Sequence, residues 1–414
     1  MARRTAEQDH DPSRREFFKT FSRQTIENAG AVAGAAAEIR RTSIAAAREL
    51  LDMDAAAAVM APTVTKVAAP VREASAPQET FRSAYRFTGT AVVVLDQREL
   101  PERVVTFECR AAADVASALR SGAVTPGPVM GQVAAYGICL AASDAAVRSD
   151  QSREQVINAA ADALRAARGD VHAVAVAVKR MSSRYEELAN SATAGTAVAE
   201  QLIKEADAIA VEATAACAEI GRLWSELLVG APLDLLVHGD SGPLACGLVG
   251  MATSALLGIV AAERQVHVWV TQGAPSDEGR RVTALELTQL DIPHTIIPDS
   301  AIGWLMAGRR LDAVVLRGDT IAANGDTVAL LGARAVAQLA HDAGVPVHVL
   351  APDAAWDRVA PDASRLVLDL RSAAELGSAH RARLEPPFDV VPARNVSAYI
   401  SERGIVRPPF KEPR

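Results

Sequence analysis

The sequence predicts an α/β protein: an amino-terminal helical extension, a small hairpin-plus-helical domain, and then a doubly wound, mostly parallel Rossmann-like sheet domain. Two observations carry this. From Ala111 to Leu228 apolar residues recur at helical spacing, as in Leu188, Ala192, Ala199, Leu202, Ala206 and Ile209. From Leu233 onward, short runs rich in Val, Ile and Leu alternate with helical segments, the pattern of parallel strands covered on both faces.

Residues 1–60 read as the helical extension, Ala-rich with charges spaced along it. Ser13-Arg14-Arg15-Glu16-Phe17-Phe18-Lys19 looks like a twin-arginine export motif, but such a signal continues into an uncharged apolar stretch. Here Arg23, Glu27, Glu38, Arg40 and Arg41 interrupt the stretch after Lys19. An amphipathic helix is therefore expected, with Phe17, Phe18, Phe21 and Ile26 as a face for a partner or a membrane surface. The cytoplasm is the expected location, with export as the alternative.

Residues 61–83 shift to Pro, Ala, Thr and Val without period and read as a linker. The hairpin-plus-helical domain is expected over 84–230. Tyr85 to Leu95 alternates and turns at Gly89. Helices are expected over Ala111–Ser121, Gly131–Ala142 and Gln151–Arg168, with one long helix over Ser182–Leu228. The sheet domain is expected over 231–410. Its strands are Leu235–Val237, Val266–Val270, His294–Ile297, Ala313–Leu316, Val345–Leu350 and Leu366–Leu370. Such a sheet binds ligands beyond the carboxyl ends of its strands, so the loops after Val237, Val270, Ile297 and Leu316 are where chemistry is sought.

Composition narrows the function classes. Of 414 residues, 50% are hydrophobic, 4% aromatic and 22% charged, with a formal net charge of −7. That balance argues against a broad nucleic-acid face, which needs clustered Lys and Arg. Cys109, Cys139, Cys217 and Cys246 have no zinc-ligand spacing and read as buried thiols, so neither metal nor cofactor is expected.

Several strings then occur in a telling order. They are Leu95-Asp96-Gln97-Arg98-Glu99-Leu100-Pro101, the stretch Val124 to Ala142, and Asp299 to Asp312. Next come Gly318-Asp319-Thr320-Ile321-Ala322-Ala323-Asn324-Gly325-Asp326, then Phe388 to Ala393 and Ile400 to Gly404. Together they resemble the methylthioribose-1-phosphate isomerase family over about residues 84 to 410. That family shares its fold with ribose-1,5-bisphosphate isomerases and with the regulatory subunits of the eukaryotic initiation-factor exchange complex. The resemblance implies a homodimer and an aldose-to-ketose isomerisation of a sugar phosphate, run by a cysteine and an aspartate as acid/base pair.

Carried over residue by residue, the aspartate is Asp319, whose alternative role is a turn or cap. The cysteine of the family's T-H-C-N-x-G pattern aligns with Gly239, within Val237-His238-Gly239-Asp240-Ser241-Gly242. Asp240 is the candidate replacement acid/base group, or else a cap of the helix beginning near Pro243. The phosphate-binding arginines align with Thr125, Asp170 and Ala274, and an Asn-Lys pair with Ala329-Leu330. Arg280, Arg281, Arg317 and Arg334 are the candidate compensators. The expected substrate-binding set is Thr125, His238, Gly239, Ser241, Arg281, Asn324 and Asp326, with His172 in a further candidate loop. Two functions are expected from this pattern: a homologue without the standard activity that binds a small molecule or partner, or an isomerase of a less anionic sugar.

Overall fold

The computed structural model describes residues 83–408 apart from 192, 309–310 and 367–385. The extension at 1–60, the twin-arginine-like segment, nearly all of the linker and most of the run at 366–370 lie outside the described residues.

β1 (Tyr85–Phe87) and β2 (Val92–Leu95) form the hairpin that the alternating run predicts. Gly89 in its turn takes φ +91°, which glycine adopts without strain. β3 (Thr106–Cys109) adds antiparallel to β2. Five helices come next: α1 (Ala112–Arg120), α2 (Pro128–Asp144), α3 (Asp150–Ala167), α4 (His172–Asn190) and α5 (Gly195–Leu227). α2 is apolar on nearly every side and is buried from Val129 to Ala142, as a helix without a polar face must be.

The single helix expected over 182–228 is corrected to two, α4 and α5. The Ser191 hydroxyl and the Thr193 amide both donate to the Leu188 carbonyl, ending α4. A Cβ on Gly195 would fall 2.0 Å from the Ala146 carbonyl oxygen, so only glycine starts α5 so close to the preceding loop. Apolar spacing is helical on both sides of this turn, so periodicity alone does not register it.

The main sheet has seven strands in the order β14-β13-β10-β7-β4-β5-β6. They are β4 (Leu233–His238), β5 (Val266–Thr271), β6 (His294–Ile297), β7 (Ala313–Arg317), β10 (Val347–Leu350), β13 (Ala398–Ser401) and β14 (Gly404–Val406). Only β14 runs antiparallel to its neighbour. Connecting helices are α6 (Pro243–Cys246), α7 (Met251–Ala261), α8 (Ala284–Gln289), α9 (Ile302–Gly308) and α10 (Ala333–Asp342). Both faces are covered. Leu235, Val237, Val268 and Val270 pack with Trp224 of α5 and Leu256 of α7. The alternate residues Leu236, Trp269, Val314 and Leu316 pack with Leu305 of α9 and Val336 of α10.

α5 ties the two halves together. Val198, Leu202 and Ala206 lie in the helical core, while Cys217, Ile220 and Trp224 lie against the sheet. A smaller sheet, β11-β8-β9-β12, joins β8 (Thr320–Ala322), β9 (Thr327–Leu330), β11 (Trp356–Asp357) and β12 (Phe388–Val391). Among the described residues no helix is long and apolar enough to cross a membrane.

Candidate functional site

The chain leaves β4 toward β5 and β6 on one side, and toward β7, β10 and β13 on the other. The strand order reverses between β4 and β7, where an open parallel sheet has its ligand crevice. His238 at the end of β4 pairs with Leu316, so the loops carrying Gly239–Ser241 and Arg317–Asp319 emerge side by side.

Arg317 joins these loops. Its Nε donates to Asp319 Oδ1 at 3.2 Å and its Nη2 to Asp319 Oδ2 at 3.4 Å. Its Nη1 donates to the Asp240 carbonyl. Asp240 is fully buried, and Asp319 retains 7% exposure. Asp240 Oδ1 accepts from the Gly242 amide at 3.0 Å, a turn that leads into α6. Gly239 takes φ +90°, which turns the chain sharply off the end of β4.

Two further carboxyls face this pair. A π-helical turn over Gly279–Thr283 precedes α8 and packs on the end of β5, where a Cβ on Gly279 would fall 1.8 Å from the Thr271 oxygen. It places Glu278 before the turn and Glu286 after it, 6% and 4% exposed. Burial pushes Asp240 up to about 6, against the pull of Arg317. Burial likewise raises Asp319, more than the adjacent Arg317 lowers it, and it raises Glu278 and Glu286. Asp240 Oδ2, Glu278 Oε2 and Glu286 Oε2 are buried without a donor. Carboxyls so crowded favour protonated forms and repel a further anion.

The surrounding arginines are engaged by the protein itself. Arg168 forks onto Asp170 at 2.8 and 3.0 Å, with both side chains buried. Arg281 donates to the Ser276 carbonyl from Nε and Nη2, at 2.9 and 2.8 Å, and to the Gln97 carbonyl from Nη1. Arg280 pairs with Asp277, and Arg334 donates to the Val390 carbonyl.

Among the expected binding residues, Thr125 donates to Gln97 Oε1, and Gln97 Nε2 donates to the Leu244 carbonyl at 3.1 Å. Thr125 and Gln97 thus tie the entry of α2 to α6. His238 uses both ring nitrogens: Nε2 donates to the Leu331 carbonyl at 3.0 Å, and Nδ1 accepts from the Thr271 hydroxyl at 2.9 Å. Burial lowers its pKa and so favours the neutral ring, in which Nδ1 is the acceptor. Ser241 is buried beside Asp240 and accepts from the Ala252 amide at its carbonyl. Asn324 and Asp326 close the β8–β9 turn: Asn324 Nδ2 bonds Asp326 Oδ2 at 2.9 Å, and Asp326 Oδ1 accepts from the Ala393 amide. Their hydrogen bonds run within this turn and to Pro361 and Ala393, not to Asp240 or Asp319. His172 opens α4 half-buried, its pKa lowered chiefly by burial. Among the described residues no three His, Cys, Asp or Glu side chains are grouped to hold a metal ion.

Sequence reasoning missed Glu278, Glu286, Arg168 and Gln97. Gln97 stands inside the string Leu95 to Pro101, and Arg168 lies two residues from Asp170. Glu286 gives no signal of its own, because a lone Glu at helical spacing reads as a solvent-facing residue.

Comparison with known proteins agrees with this arrangement. The description "Initiation factor 2 subunit family" matches residues 123–408. Methylthioribose-1-phosphate isomerase 1 of Pseudothermotoga lettingae is 32% identical over 335 residues, covering 79% of this chain and 95% of that protein. The methylthioribose-1-phosphate isomerase of Roseiflexus castenholzii is 33% identical over 345 residues, covering 80% and 96%. The crystal structure of 5-methylthioribose 1-phosphate isomerase from Pyrococcus horikoshii OT3 superposes with a TM-score of 0.71 at 24% identity, covering 80% of this chain and 94% of that one. Translation initiation factor eIF-2B subunit delta from A. fulgidus superposes with a TM-score of 0.64 at 26% identity, covering 79% and 96%. With its switch-point loops, its two-faced sheet and these relatives, the chain belongs to the Initiation factor 2 subunit family, and within it to the methylthioribose-1-phosphate isomerase family.

Proposed function

We propose that this chain is a divergent member of its family that lacks the standard isomerase activity and binds a small molecule or a partner. The observation that carries the reading is the state of the arginines. Arg168, Arg281 and Arg317 each already donate to protein oxygens, so an incoming phosphate would compete with those bonds. An exposed cradle would gain about 1.5–3 kcal/mol from each charged hydrogen bond. Gly239 in the cysteine's position supplies no proton, and Asp240 is fully buried. The homodimer and the cytoplasmic location expected from the sequence belong to the same proposal; light scattering on the full chain tests the first.

A second reading is favoured by one observation. Asp319 follows β7 at the point where the strand order reverses, and burial raises its pKa, as suits a general acid/base group. In that reading Asp319 isomerises a sugar with less negative charge than a sugar phosphate.

The test is a proton NMR turnover assay with methylthioribose 1-phosphate, run beside Asp319→Asn. No product is expected from either protein. Ketose formed by the natural sequence and abolished in the variant overturns the first reading. Turnover of a neutral aldose, lost in Asp319→Asn, establishes the second.

A further inference from the structure

Asp240 and Glu286 approach each other across the turn that leads from β4 into α6. Each has one oxygen fixed by a backbone amide of that turn. Asp240 Oδ1 accepts from Gly242 at 3.0 Å, and Glu286 Oε1 accepts from Leu244 at 2.8 Å. The remaining oxygens, Asp240 Oδ2 and Glu286 Oε2, are buried and receive no donor from the rest of the protein. Both carboxyls converge on Gly242, whose amide binds Asp240 and whose Cα abuts Glu286. Gly242 makes the approach possible, because a Cβ there would fall 1.7 Å from Glu286 Oε2 and 2.4 Å from its carboxyl carbon.

Two ionised carboxylates offer only acceptors, so such a contact would be repulsive. One proton between them turns it into a charge-assisted hydrogen bond and satisfies both orphaned oxygens at once. We propose that Asp240 and Glu286 share a single proton at neutral pH, with Glu286 acting as the positioning residue that holds Asp240 and closes the loop after β4. The pair belongs to the loop proposed as the site, but its proton depends on no substrate.

The neighbours support it. Arg317 faces the pair from the end of β7, but it is already held by Asp319. Glu278 adds a like charge to Asp240, as Asp319 does. Cys246 of α6 faces Glu286, with its thiol raised well above the usual range, chiefly by its hydrogen bond with Cys217. Arg281 also lies near Glu278, and Arg168 near Asp319, but Arg168 is paired with Asp170; the carboxyls still outnumber the guanidiniums, and retaining a proton relieves the excess. Burial is the first cause in both members: Asp240 rises to about 6 and Glu286 rises well above the ordinary carboxylate range. The titration belongs to the pair rather than to either residue.

Both folded values lie above the unfolded ones, so the folded state holds more protons. The pair's stabilisation is complete below the unfolded carboxylate range and is lost as pH rises through the folded values. Closure of the loop weakens on alkalisation, as the pair gives up the proton it shares.

The experiment is difference infrared spectroscopy of the full chain, tracking the carboxylic acid C=O stretch from mildly acidic to alkaline pH. The natural protein should show a protonated carboxyl at neutral pH that disappears on alkalisation, together with faster amide exchange at Gly242 and Leu244. Glu286→Gln, whose amide donates to Asp240 without a titrating proton, should lose that band while keeping slow exchange. Should that variant fail to fold, Asp240→Asn makes the same comparison from the other side. Absence of any protonated carboxyl band in the natural protein at neutral pH overturns the proposal, whatever the variants do. A band that survives in both variants overturns it as well. None of these outcomes depends on turnover of methylthioribose 1-phosphate, so failure here is distinct from failure of the functional reading.

Discussion

Arg317 grips Asp319 through two roughly parallel contacts, Nε to Oδ1 at 3.2 Å and Nη2 to Oδ2 at 3.4 Å, with both side chains about 2% exposed. A buried ion pair gains little over an apolar pair of similar shape, but removing one partner leaves a charge stranded. Arg317→Met should therefore cost about 3–5 kcal/mol, since Asp319 then loses its counter-charge and the Asp240 carbonyl its donor. Urea unfolding of the single variant beside Arg317→Met with Asp319→Leu checks this. The double variant should recover most of the loss, and equal destabilisation of both would show that the pair is not the source.

A second prediction concerns acid. Trp224 Nε1 donates to His348 Nδ1 at 3.1 Å, which requires a neutral ring with its proton on Nε2. Burial, assisted by Arg407, lowers His348 from 6.5 to about 4. The folded value lies below the unfolded one, so the stabilisation is present above about 6.5 and is lost as pH falls toward about 4. The shift amounts to about 3 kcal/mol across that window. His348→Asn keeps an acceptor for Trp224 and should flatten the acid limb of the stability profile, as thermal unfolding at several pH values would reveal.

The thiols give a third. Cys109, Cys139, Cys217 and Cys246 are all free and buried. Burial pushes Cys109 up to about 11 and Cys139 well above its usual range. Reagents attack the thiolate, so none of the four should react in the native protein, and all should react in denaturant. Rapid native labelling at Cys246, identified by mass spectrometry, would mean that the loop after β4 opens readily.

Much of this fold is written in the sequence because parallel strands buried on both faces leave near-continuous apolar runs, as at Val266–Val270 and Ala313–Leu316. The β8–β9 hairpin was legible only as the string around Asn324-Gly325-Asp326, since strands of three and four residues carry too few side chains for a period. The site was legible where loop position decides it: Asp240 and Asp319 come after adjacent strands, and the parallel order brings their loops together. Glu278 and Glu286 were not legible, because they arrive through a π-helical turn whose close packing depends on Gly279 and Gly242 lacking side chains. Such steric permission leaves no periodic trace. The fate of the arginines was equally hidden, since a sequence counts cations but does not show which carbonyls occupy them.

The last prediction concerns Gly239, where the resemblance places the family's cysteine. Its φ of +90° lies in the left-handed region, where a side chain costs about 1–2 kcal/mol. Space is not the obstacle, because a Cβ would meet Leu330 Cβ at an ordinary 3.6 Å. Gly239→Cys and Gly239→Ala should therefore lose similar stability by thermal unfolding, since the cost belongs to the backbone and not to the thiol. Neither should convert methylthioribose 1-phosphate, because Arg168, Arg281 and Arg317 remain bound to protein oxygens whatever occupies position 239. Turnover gained by the cysteine variant alone would show that the missing thiol, and not the engaged arginines, separates this chain from its isomerase relatives.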